Sequence, residues 1–399
     1  MPYLNVNLNP LIGNNMTIQT KSPRTNGVVQ AKSLDNIPKF KDFISYSSEQ
    51  EYLNDKECIN AHLVMGYALK DTLSFRSKSQ EKPYFTIGKL VEDLIFHKDL
   101  VNSKYLIISN YQSEHTQKLN EIITNLSLLE LSPKDFVLSL QNTEEGHRML
   151  LTLVSENELF KTIKLKETLL AKLKKEDFFE RLINRLENSD KLVVTTSDYE
   201  LASALANNIR NSKATKNIFK NENKENVEFI DQFRIKVPDI FKKGWWAKIA
   251  VDLLVVDHNS GQVFFYDIKT DRHSTHEFIA ESYFTYRLDL QMDFYHYVLS
   301  QFIATKFPNY GLNSGRIIVV SKTYVEQEAT IYNKPPNNLL VGRELDHSLN
   351  IPKNYTDLRT LLSDISNLTV YCGGKIENLP NLNQTADYYL VNNFITLPI

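Results

Sequence analysis

Two aspartates and one lysine stand in a stretch that otherwise has the pattern of a buried hairpin. Residues 246–269 read WAKIAVDLLVVDHNSGQVFFYDIK, in which Asp252 and Asp267 each interrupt an apolar run. Lys269 follows two residues after the second aspartate. An unpaired charge in a buried strand is strongly unfavourable, so these three charges need a chemical reason.

The turn between the two apolar runs determines which residues face each other. Residues 258–261 read HNSG, and the glycine that ends this segment suits a four-residue turn that requires a positive φ. If Asp257 pairs with Gln262, the register places Asp252 opposite Asp267. Directly opposed β-carbons lie about 4.5–5.5 Å apart, so the two carboxylates would be close neighbours.

Two opposed carboxylates repel each other unless a positive charge lies between them. Oxygen ligands favour Mg²⁺, which commonly binds one or two carboxylates together with waters and a phosphate. The backbone carbonyl of Ile268 can add a ligand, and Lys269 can orient or help deprotonate a metal-bound water, or offset charge on an attacked phosphate. The alternative is an internal ion pair between Asp267 and Lys269, which does not account for the charge of Asp252.

A long helical pattern follows the hairpin and carries a polar stripe. Arg287, Gln291 and Tyr295 are spaced four residues apart, so they share one side of the predicted helix. Beside an apolar seam, this stripe can bring Gln291 and Tyr295 to the acidic end of the hairpin. The alternative is an ordinary amphipathic helix whose arginine and tyrosine reach towards solvent.

A second predicted helix, from about Ile87 to His97, lies well upstream and carries adjacent acids. Its apolar positions form one stripe, which we expect to be buried: Leu90, Val91, Leu94 and Ile95. Glu92 or Asp93 can therefore point inward. The alternative is that both acids are solvated on the polar side of the helix.

In this order, the motifs resemble those of the PD-(D/E)xK nuclease superfamily, in its phage-type RecB-like and RecE-like exonuclease branch. Asp252, followed after 14 residues by Asp267-Ile-Lys269, resembles the D…(D/E)xK core, and residues 291–295, QMDFY, resemble the QxxxY motif. Residues 85–94, FTIGKLVEDL, look like the G-x-x-V-(H/D/E) helix that precedes the core. The resemblance extends over roughly residues 80–330.

The resemblance assigns a role to each matched position. It puts Glu92 at the position of the helix-borne metal ligand, with Asp93 as the fallback. Metal binding is expected from three carboxylates and one backbone carbonyl: Glu92, Asp252, Asp267 and Ile268. Catalysis is expected from these carboxylates together with Lys269, Gln291 and Tyr295. Val251 stands where the motif name has proline, a departure that divergent members share.

The fold class that the resemblance implies is α/β (α+β), with a restriction-endonuclease-like core. We expect a central mixed β-sheet flanked by helices, with a helical insertion over about 111–225. The catalytic core would comprise about 80–100 and 226–333, within a single domain over 46–399.

Residues 1–45 are rich in Asn, Pro, Ser and Lys and predict a poorly ordered arm, the alternative being a strap packed on the body. Residues 334–399 would form a helix and strand extension.

The implied activity is Mg²⁺-dependent hydrolysis of DNA phosphodiesters, with Mn²⁺ able to substitute. An exonuclease acting on double-stranded ends in phage DNA recombination, replication or repair is the leading interpretation. The alternatives are a sequence- or structure-specific endonuclease and a non-catalytic DNA-binding module on the same fold. Because processive relatives form rings, a homo-oligomer is one expected assembly, and a single-strand annealing or recombination protein is an expected partner.

Nucleic-acid contacts need local positive charge, because the net charge of the chain is only −2. Residues 161–185 hold eight Lys or Arg against four Asp or Glu, which fits either a solvated helix face or a phosphate-tracking surface. Residues 210–220 hold no acid. The second tract predicts a mobile basic loop. The predicted nucleic-acid-binding residues are Arg287, Lys213, Lys216 and Lys220, and Arg210 lies in the same tract. Gln232, in the strand before the hairpin, is a further residue that can face the site.

Composition excludes several other classes of site and location. Cys58 and Cys372 are the only cysteines, too few for a disulfide framework or a four-cysteine iron–sulfur cluster. The first residues lack a basic start followed by an apolar run, and no apolar run is long enough to span a bilayer. We therefore expect a cytoplasmic protein, in the host cytoplasm if it is phage-encoded, with no membrane partner.

Overall fold

The computed structural model describes residues 38–69, 83–108, 132–156, 166–175, 177–222, 224–238 and 244–333, together with 118–119, 122–123, 126, 159, 358, 361–363 and 365–366. In this part of the chain the strands are Tyr105–Ile108 (β1), Leu192–Thr195 (β2), Val227–Pro238 (β3), Trp246–Asp257 (β4), Gln262–Asp271 (β5), Gly311–Leu312 (β6), Arg316–Ser321 (β7) and Thr330–Asn333 (β8). The strand expected before the hairpin, which carries Gln232, is confirmed as β3.

The α-helices of the described residues are Glu49–Asn54 (α1), Ala61–Leu69 (α2), Pro83–Phe96 (α3), Val101–Lys104 (α4), Pro133–Asn142 (α5), Glu144–Glu156 (α6), Lys166–Lys175 (α7), Phe178–Glu187 (α8), Thr196–Asn211 (α9), Lys216–Phe219 (α10) and Leu288–Lys306 (α11). Short 3₁₀ segments lie at Phe40–Phe43 and Lys98–Leu100, and a π-helical turn at Ile279–Tyr283. Thr195 caps α9, since its side chain accepts a hydrogen bond from the backbone N–H of Asp198.

The larger sheet is mixed. Its strands are ordered β3-β4-β5-β7-β8, and β6 pairs beside β5. The pairs β3/β4, β4/β5 and β7/β8 are antiparallel, whereas β5 pairs with β7 in parallel. β1 and β2 form a separate parallel pair. The predicted α/β class with a mixed central sheet and helices is confirmed.

Helices cover both faces of the larger sheet, which is why its central strands are apolar on both sides. Along β5, Val263 and Phe265 pack into a core with α2 and α11, while Tyr266 and Ile268 pack into a second core with α3 and α9. All four residues of the predicted α3 stripe are buried in that second core, as expected. The site described below lies between these two layers.

The helices α5 to α8 have a third apolar core of their own. Its described residues run from Leu119 to Leu186, and none of them belongs to a strand. β2 and α9 return to the body of the molecule, where α9 packs on α3. The helical insertion predicted over 111–225 therefore ends before β2 in the structure.

The end of the predicted N-terminal arm is packed on the sheet. Phe40 is fully buried and stacks on Phe307 with ring centroids 3.8 Å apart. The Glu228 carboxylate on β3 accepts hydrogen bonds from the backbone N–H groups of Phe40 (2.8 Å) and Lys41 (3.1 Å). Residues 38–45 thus follow the strap alternative, and 1–37 lie outside the described residues.

The predicted C-terminal extension is described in part. Leu361, Leu362 and Ile365 are helical and buried in the core that contains α11, in agreement with a helix there. The predicted final strand lies outside the described residues. No helix in the described ranges combines the length and apolar character needed to cross a membrane.

Gly315 allows α11 to approach the sheet closely. A β-carbon built on Gly315 would lie 2.5 Å from Met292 Cε and 2.6 Å from Phe265 Cζ. We expect Gly315→Ala to lower the free energy of unfolding by roughly 1–3 kcal/mol, because neighbouring core side chains must shift. Urea denaturation measures this change. Gly88→Ala in α3 is the matched control, since its β-carbon would meet Thr270 at an ordinary 3.6 Å and alanine favours a helix. Equal stability of the two variants would contradict the packing argument.

Candidate active site

The hydrogen-bond ladder between β3 and β4 is interrupted at one pair. The pairs on either side form, but Gln232 and Asp252, which the register places opposite each other, do not pair. Gln232 has φ 48°, a left-handed conformation that is uncommon for a residue other than glycine. Such strain clusters at functional sites because the surrounding structure must maintain it.

The interruption also changes which way the side chains of β4 point. Val251 and Leu253 are two residues apart and would share a face in a regular strand. Instead Val251 packs in the core with α11, and Leu253 in the core with α3. Asp252 therefore lies at the point where the side-chain alternation of β4 reverses, between the two helical layers.

β4 and β5 separate at the same level. Asp257 pairs with Gln262 as predicted, but the ladder ends one pair before Asp252 and Asp267 would meet. Asp252 Oδ2 accepts a hydrogen bond of 2.7 Å from the backbone N–H of Ile268. A side-chain carboxylate thus takes the place of a strand carbonyl at Asp252, whereas Asp267 still pairs with Ile317 on β7.

Asp267 is held between its own strand and α11. Its side chain is 1% exposed, and Oδ2 lies 2.6 Å from Lys269 Nζ. Gln291 Nε2 donates to Asp267 Oδ1 (2.9 Å) and to the Tyr295 hydroxyl (2.8 Å). The predicted proximity of Gln291 and Tyr295 to the hairpin aspartate is confirmed, and so is the alternative ion pair between Asp267 and Lys269.

The two adjacent acids of α3 point in different directions. Glu92 Oε2 accepts a 2.8 Å hydrogen bond from Gln232 Nε2, so it lies beside the interrupted pair. Asp93 accepts a 2.7 Å hydrogen bond from the Tyr105 hydroxyl and an ion-pair contact from a lysine at the end of α4. The structure therefore brings Glu92 to the site and turns Asp93 away towards β1.

Gln232, which was predicted to face the site, is also close to the carboxylates. Its amide bridges Glu92 and the guanidinium of Arg234, which donates to Gln232 Oε1 at 3.1 Å. The sequence signal for Arg234 was its position two residues after Gln232 on the same face of β3. Arg234 had no predicted role, but it now adds a positive charge near Asp252.

Burial and neighbouring negative charges raise the pKa values of Asp252 and Glu92. Burial and the nearby Asp267 raise the pKa of Asp252 to about 7. Burial and Asp252 raise the pKa of Glu92 well above its ordinary range. Burial alone would lower the pKa of Lys269, but the charges of Asp267 and Asp252 outweigh it and raise that pKa. Lys269 is therefore a cation in this arrangement.

His62 is a functional candidate that the sequence patterns missed. It lies in the first turn of α2, and burial together with the charge of Lys269 lowers its pKa. The side chain nevertheless remains exposed, and the Lys269 side chain keeps 30% of its exposure. His62 and Lys269 thus lie near each other and both reach solvent; we call the place where they meet the three carboxylates the recess.

The donor chemistry of the recess suits a hard divalent cation, but its present arrangement does not. Carboxylate oxygens are the ligands that Mg²⁺ prefers, and buried Asp267 Oδ2 contacts the Lys269 ammonium at 2.6 Å. However, the described ranges contain no group of three or more His, Cys, Asp or Glu placed to hold a metal ion. Binding between Asp252 and Asp267 would require the contact of Lys269 with Asp267 to open.

Arg287 corrects one of the predicted nucleic-acid contacts. It precedes α11 with φ 53° and is 1% exposed, and its guanidinium pairs with Asp289 at 3.1 Å. Arg287 therefore neither extends the stripe of Gln291 and Tyr295 as a helical residue nor presents its charge at the surface. A left-handed residue interrupts the helical spacing on which that prediction rested.

The tract at 210–220 is partly helical: it includes the end of α9 and all of α10, with a turn between them. Arg210 donates to the carbonyl of Ile95 and pairs with Glu222 at 2.6 Å, and two residues of α10, Ile218 and Phe219, are buried. The three lysines of the tract are exposed and keep the predicted role in nucleic-acid contact as a hypothesis: Lys213, Lys216 and Lys220.

A serine–histidine–aspartate group after β5 does not form a nucleophilic triad. Asp271 Oδ1 and Ser282 Oγ lie 2.9 Å and 3.3 Å from the same nitrogen, Nδ1 of His273. Nucleophilic activation needs the carboxylate and the hydroxyl at opposite ring nitrogens. The carboxylate recess is therefore the stronger candidate.

Gln291 has a structural role that can be measured apart from any activity. We expect Gln291→Met to lower the free energy of unfolding by roughly 1–3 kcal/mol, because buried Asp267 Oδ1 loses its donor. Tyr295→Phe should have a smaller effect, since it removes only an acceptor for the same amide. Urea denaturation of both variants tests this order, and an unchanged midpoint for Gln291→Met would refute it.

Comparison with protein-family models, curated proteins and solved structures finds no match to the chain. The chemistry of the recess must therefore be argued from its own residues. These are three carboxylates from three elements, α3, β4 and β5, with one lysine beside them: Glu92, Asp252, Asp267 and Lys269.

Proposed function

We propose that the protein is a Mg²⁺-dependent nuclease that hydrolyses DNA phosphodiester bonds, and that it belongs to the PD-(D/E)xK superfamily. The observation that carries this proposal is the convergence of Glu92, Asp252, Asp267 and Lys269 at one interrupted position of a mixed sheet. Buried like charges are unfavourable, so their assembly needs a partner of opposite charge. A divalent cation provides one.

Each residue of the recess has a role that its contacts support. Asp252, Asp267 and Glu92 would hold Mg²⁺, with the carbonyl of Ile268 as a further ligand. When bound, Mg²⁺ polarises a phosphoryl oxygen and lowers the pKa of a bound water. Gln291 keeps the Asp267 carboxylate in place.

Lys269 acts through its positive charge. Because the neighbouring carboxylates raise its pKa, the ammonium group keeps its proton at neutral pH and is a poor general base. It therefore positions the attacking water by donating a hydrogen bond, or offsets the charge that develops on the phosphate. Burial and Asp267 raise the pKa of Tyr295, so its hydroxyl also stays protonated and can steady the site or the strand.

The direct test is hydrolysis of DNA by the full chain. Linear double-stranded DNA, closed circular DNA and single-stranded DNA are incubated with Mg²⁺, with Mn²⁺ and with EDTA. We expect metal-dependent release of nucleotides from linear DNA, as an exonuclease acting at ends would give. Cleavage of closed circles would instead identify an endonuclease, and no cleavage of any substrate with either metal would refute the enzyme.

A non-catalytic DNA-binding module is the second candidate, and one observation favours it. The contact between Lys269 and Asp267 neutralises the site internally, at 2.6 Å. If this ion pair is the working state, calorimetric titration of Mn²⁺ should detect no binding that depends on Asp252 and Asp267. The nuclease proposal predicts binding that both Asp252→Asn and Asp267→Asn abolish.

The resemblance of the motifs supports DNA rather than RNA as the substrate, and a role in phage recombination, replication or repair. These narrower proposals concern the substrate and the pathway rather than the chemistry. Metal-dependent hydrolysis of phosphodiesters would still hold if the substrate were RNA or the pathway a different one, because every nucleic acid presents a phosphate to the recess.

A further inference from the structure

One face of the β3–β4 hairpin carries a row of basic and aromatic side chains that leads away from the recess. On β3, buried Phe233, Ile235 and Val237 face the core with α11. The alternate positions Arg234 and Lys236 point to the opposite face, and Arg234 donates a hydrogen bond to Gln232 at the interrupted pair. The row therefore starts at the interrupted pair.

β4 continues the same face towards its beginning. Ala247, Ile249 and Val251 are fully buried in the core with α11, so Trp246 and Lys248 point to the other face. Trp246 is 43% exposed, whereas its neighbour Trp245 is 8% exposed. We call Arg234, Lys236 and Trp246 the basic–aromatic row.

Contacts connect the members of the row. The Arg234 guanidinium reaches Gln232 of the recess, and Lys236 Nζ lies 5.4 Å from the centre of the Trp246 ring. Asp252 and Trp246 are six residues apart on β4, which corresponds to about 20 Å of extended strand. The row is thus narrow and continuous with the recess.

The charge of this face is positive. Asp55 pairs with Lys236 at 2.8 Å, but Arg234 and Lys248 lie on the same face, so these four residues carry three basic groups and one acidic group. Burial lowers the pKa of Lys248 to about 8, and its ammonium donates to backbone carbonyls of α1. The basic groups of the row are therefore Arg234, which donates to the Gln232 amide, and Lys236, which shares its charge with Asp55.

We infer that a single-stranded segment of nucleic acid lies along the basic–aromatic row, with one base stacked on Trp246 and its phosphates near Arg234 and Lys236. An exposed tryptophan beside a cation is the pairing that single-strand binding surfaces use, because every base has a stackable face. A duplex presents its stacked bases only at its ends, so it would leave the indole ring without a base. The inference rests on the proposed function for the direction of the strand, which ends at the carboxylates.

Binding without metal tests the row separately from hydrolysis. The Asp267→Asn protein is mixed in EDTA with single-stranded oligothymidylate carrying a fluorescent label, and with a labelled blunt duplex. Anisotropy gives the dissociation constants, and intrinsic emission reports on Trp246, since Trp245 and Trp246 are the only tryptophans. The same background then receives Trp246→Ala, Trp246→Phe, Arg234→Gln and Tyr324→Ala.

Stacking on Trp246 should make the loss of its ring costly for single-strand binding. We expect Trp246→Ala to weaken that binding about 5- to 100-fold, Trp246→Phe to retain most of it, and Arg234→Gln to weaken it and reduce its salt dependence. Oligothymidylate should quench the emission of the parent protein. Tyr324, also exposed at 49%, lies outside the row, so Tyr324→Ala should bind like the parent.

Two results would overturn the inference. One is unchanged single-strand affinity in Trp246→Ala with no quenching in the parent, and the other is a Trp246-dependent affinity for the duplex alone. The hydrolysis assay on the unmodified chain separates the two proposals. If single-strand binding depends on Trp246 but no DNA is cleaved with Mg²⁺, the binding row stands and the nuclease is refuted. If DNA is cleaved but single-strand binding does not depend on Trp246, the nuclease stands and the binding row is refuted.

Discussion

Replacing Asp267 with asparagine is expected to reduce Mg²⁺-dependent hydrolysis of linear double-stranded DNA by roughly 1000-fold or more. Asparagine keeps the size of the side chain and can still accept from Gln291, so the fold should be retained. It removes the negative charge that faces Lys269 at 2.6 Å. The loss should appear in the rate of the bound substrate, because the carboxylate acts on the reacting groups rather than on DNA affinity.

Lys269→Met completes the same test. Methionine retains the apolar stem of the side chain but lacks the ammonium group, so we expect a comparable loss of activity with little change in DNA binding. Exposed residues of the same types serve as controls, Glu57→Gln and Lys56→Met, since neither position lies on the recess. Activity that survives both Asp267→Asn and Lys269→Met would exclude the recess as the catalytic centre.

Asp252→Asn is expected to stabilise the metal-free protein at neutral and alkaline pH. The folded protein raises the pKa of Asp252 to about 7, above the value of about 3.9 in an unfolded chain. Between these values the folded state binds more protons, so stability falls as pH rises from about 4 to 7, by up to about 4 kcal/mol for this group. Asparagine removes that dependence and keeps an oxygen that can accept from Ile268 N.

The measurement is urea denaturation in EDTA from pH 4 to pH 8. Asp257→Asn, in the same hairpin, is a control with the opposite sign. Burial would raise the pKa of Asp257, but hydrogen bonds from Ser260 and from backbone N–H groups outweigh it and lower that pKa. The stability that this carboxylate contributes is therefore present above about pH 4 and is lost below it. A parent protein whose stability does not fall between pH 4 and pH 7 would contradict the charge repulsion in the recess.

Adding Mg²⁺ at pH 8 extends the second prediction. The cation should raise the stability of the parent protein and leave Asp252→Asn almost unchanged, because binding to the native state alone stabilises it. An equal increase in both proteins would place the metal elsewhere.

The hairpin and its helix could be predicted from sequence because they depend on local rules. Turn chemistry determined that Asp257 pairs with Gln262. Helical spacing brought Gln291 and Tyr295 together, four residues apart on α11. Where the backbone on both sides of a turn is regular, local rules are enough to predict which residues meet at the site.

The same rules fail where the backbone departs from regularity. Gln232 and Arg287 both adopt left-handed conformations that nothing in their residue types signals, since neither is glycine or asparagine. At Gln232 the consequence is the turnover of β4 around Asp252, which simple alternation cannot foresee. At Arg287 it is a buried ion pair in place of a surface charge.

The choice between Glu92 and Asp93 shows a third limit. Both acids follow the same apolar stripe, and only the position of β1 beside α3 decides between them. Tyr105 supplies a hydroxyl to Asp93, while Gln232 supplies an amide to Glu92. These partners lie 12 and 140 residues away in the chain, so tertiary contacts had to be known first.

The interrupted pair of Gln232 and Asp252 has a mechanical consequence. It divides the β3–β4 hairpin into two hydrogen-bonded segments joined by one unpaired residue on each strand. A joint of this kind bends more readily than a continuous ladder, because no interstrand hydrogen bond must break. The outer segment bears Trp246 and Lys236, and the inner segment leads to the turn at Gly261. If the outer segment binds the strand as proposed, bending at this joint moves the bound strand relative to Asp252.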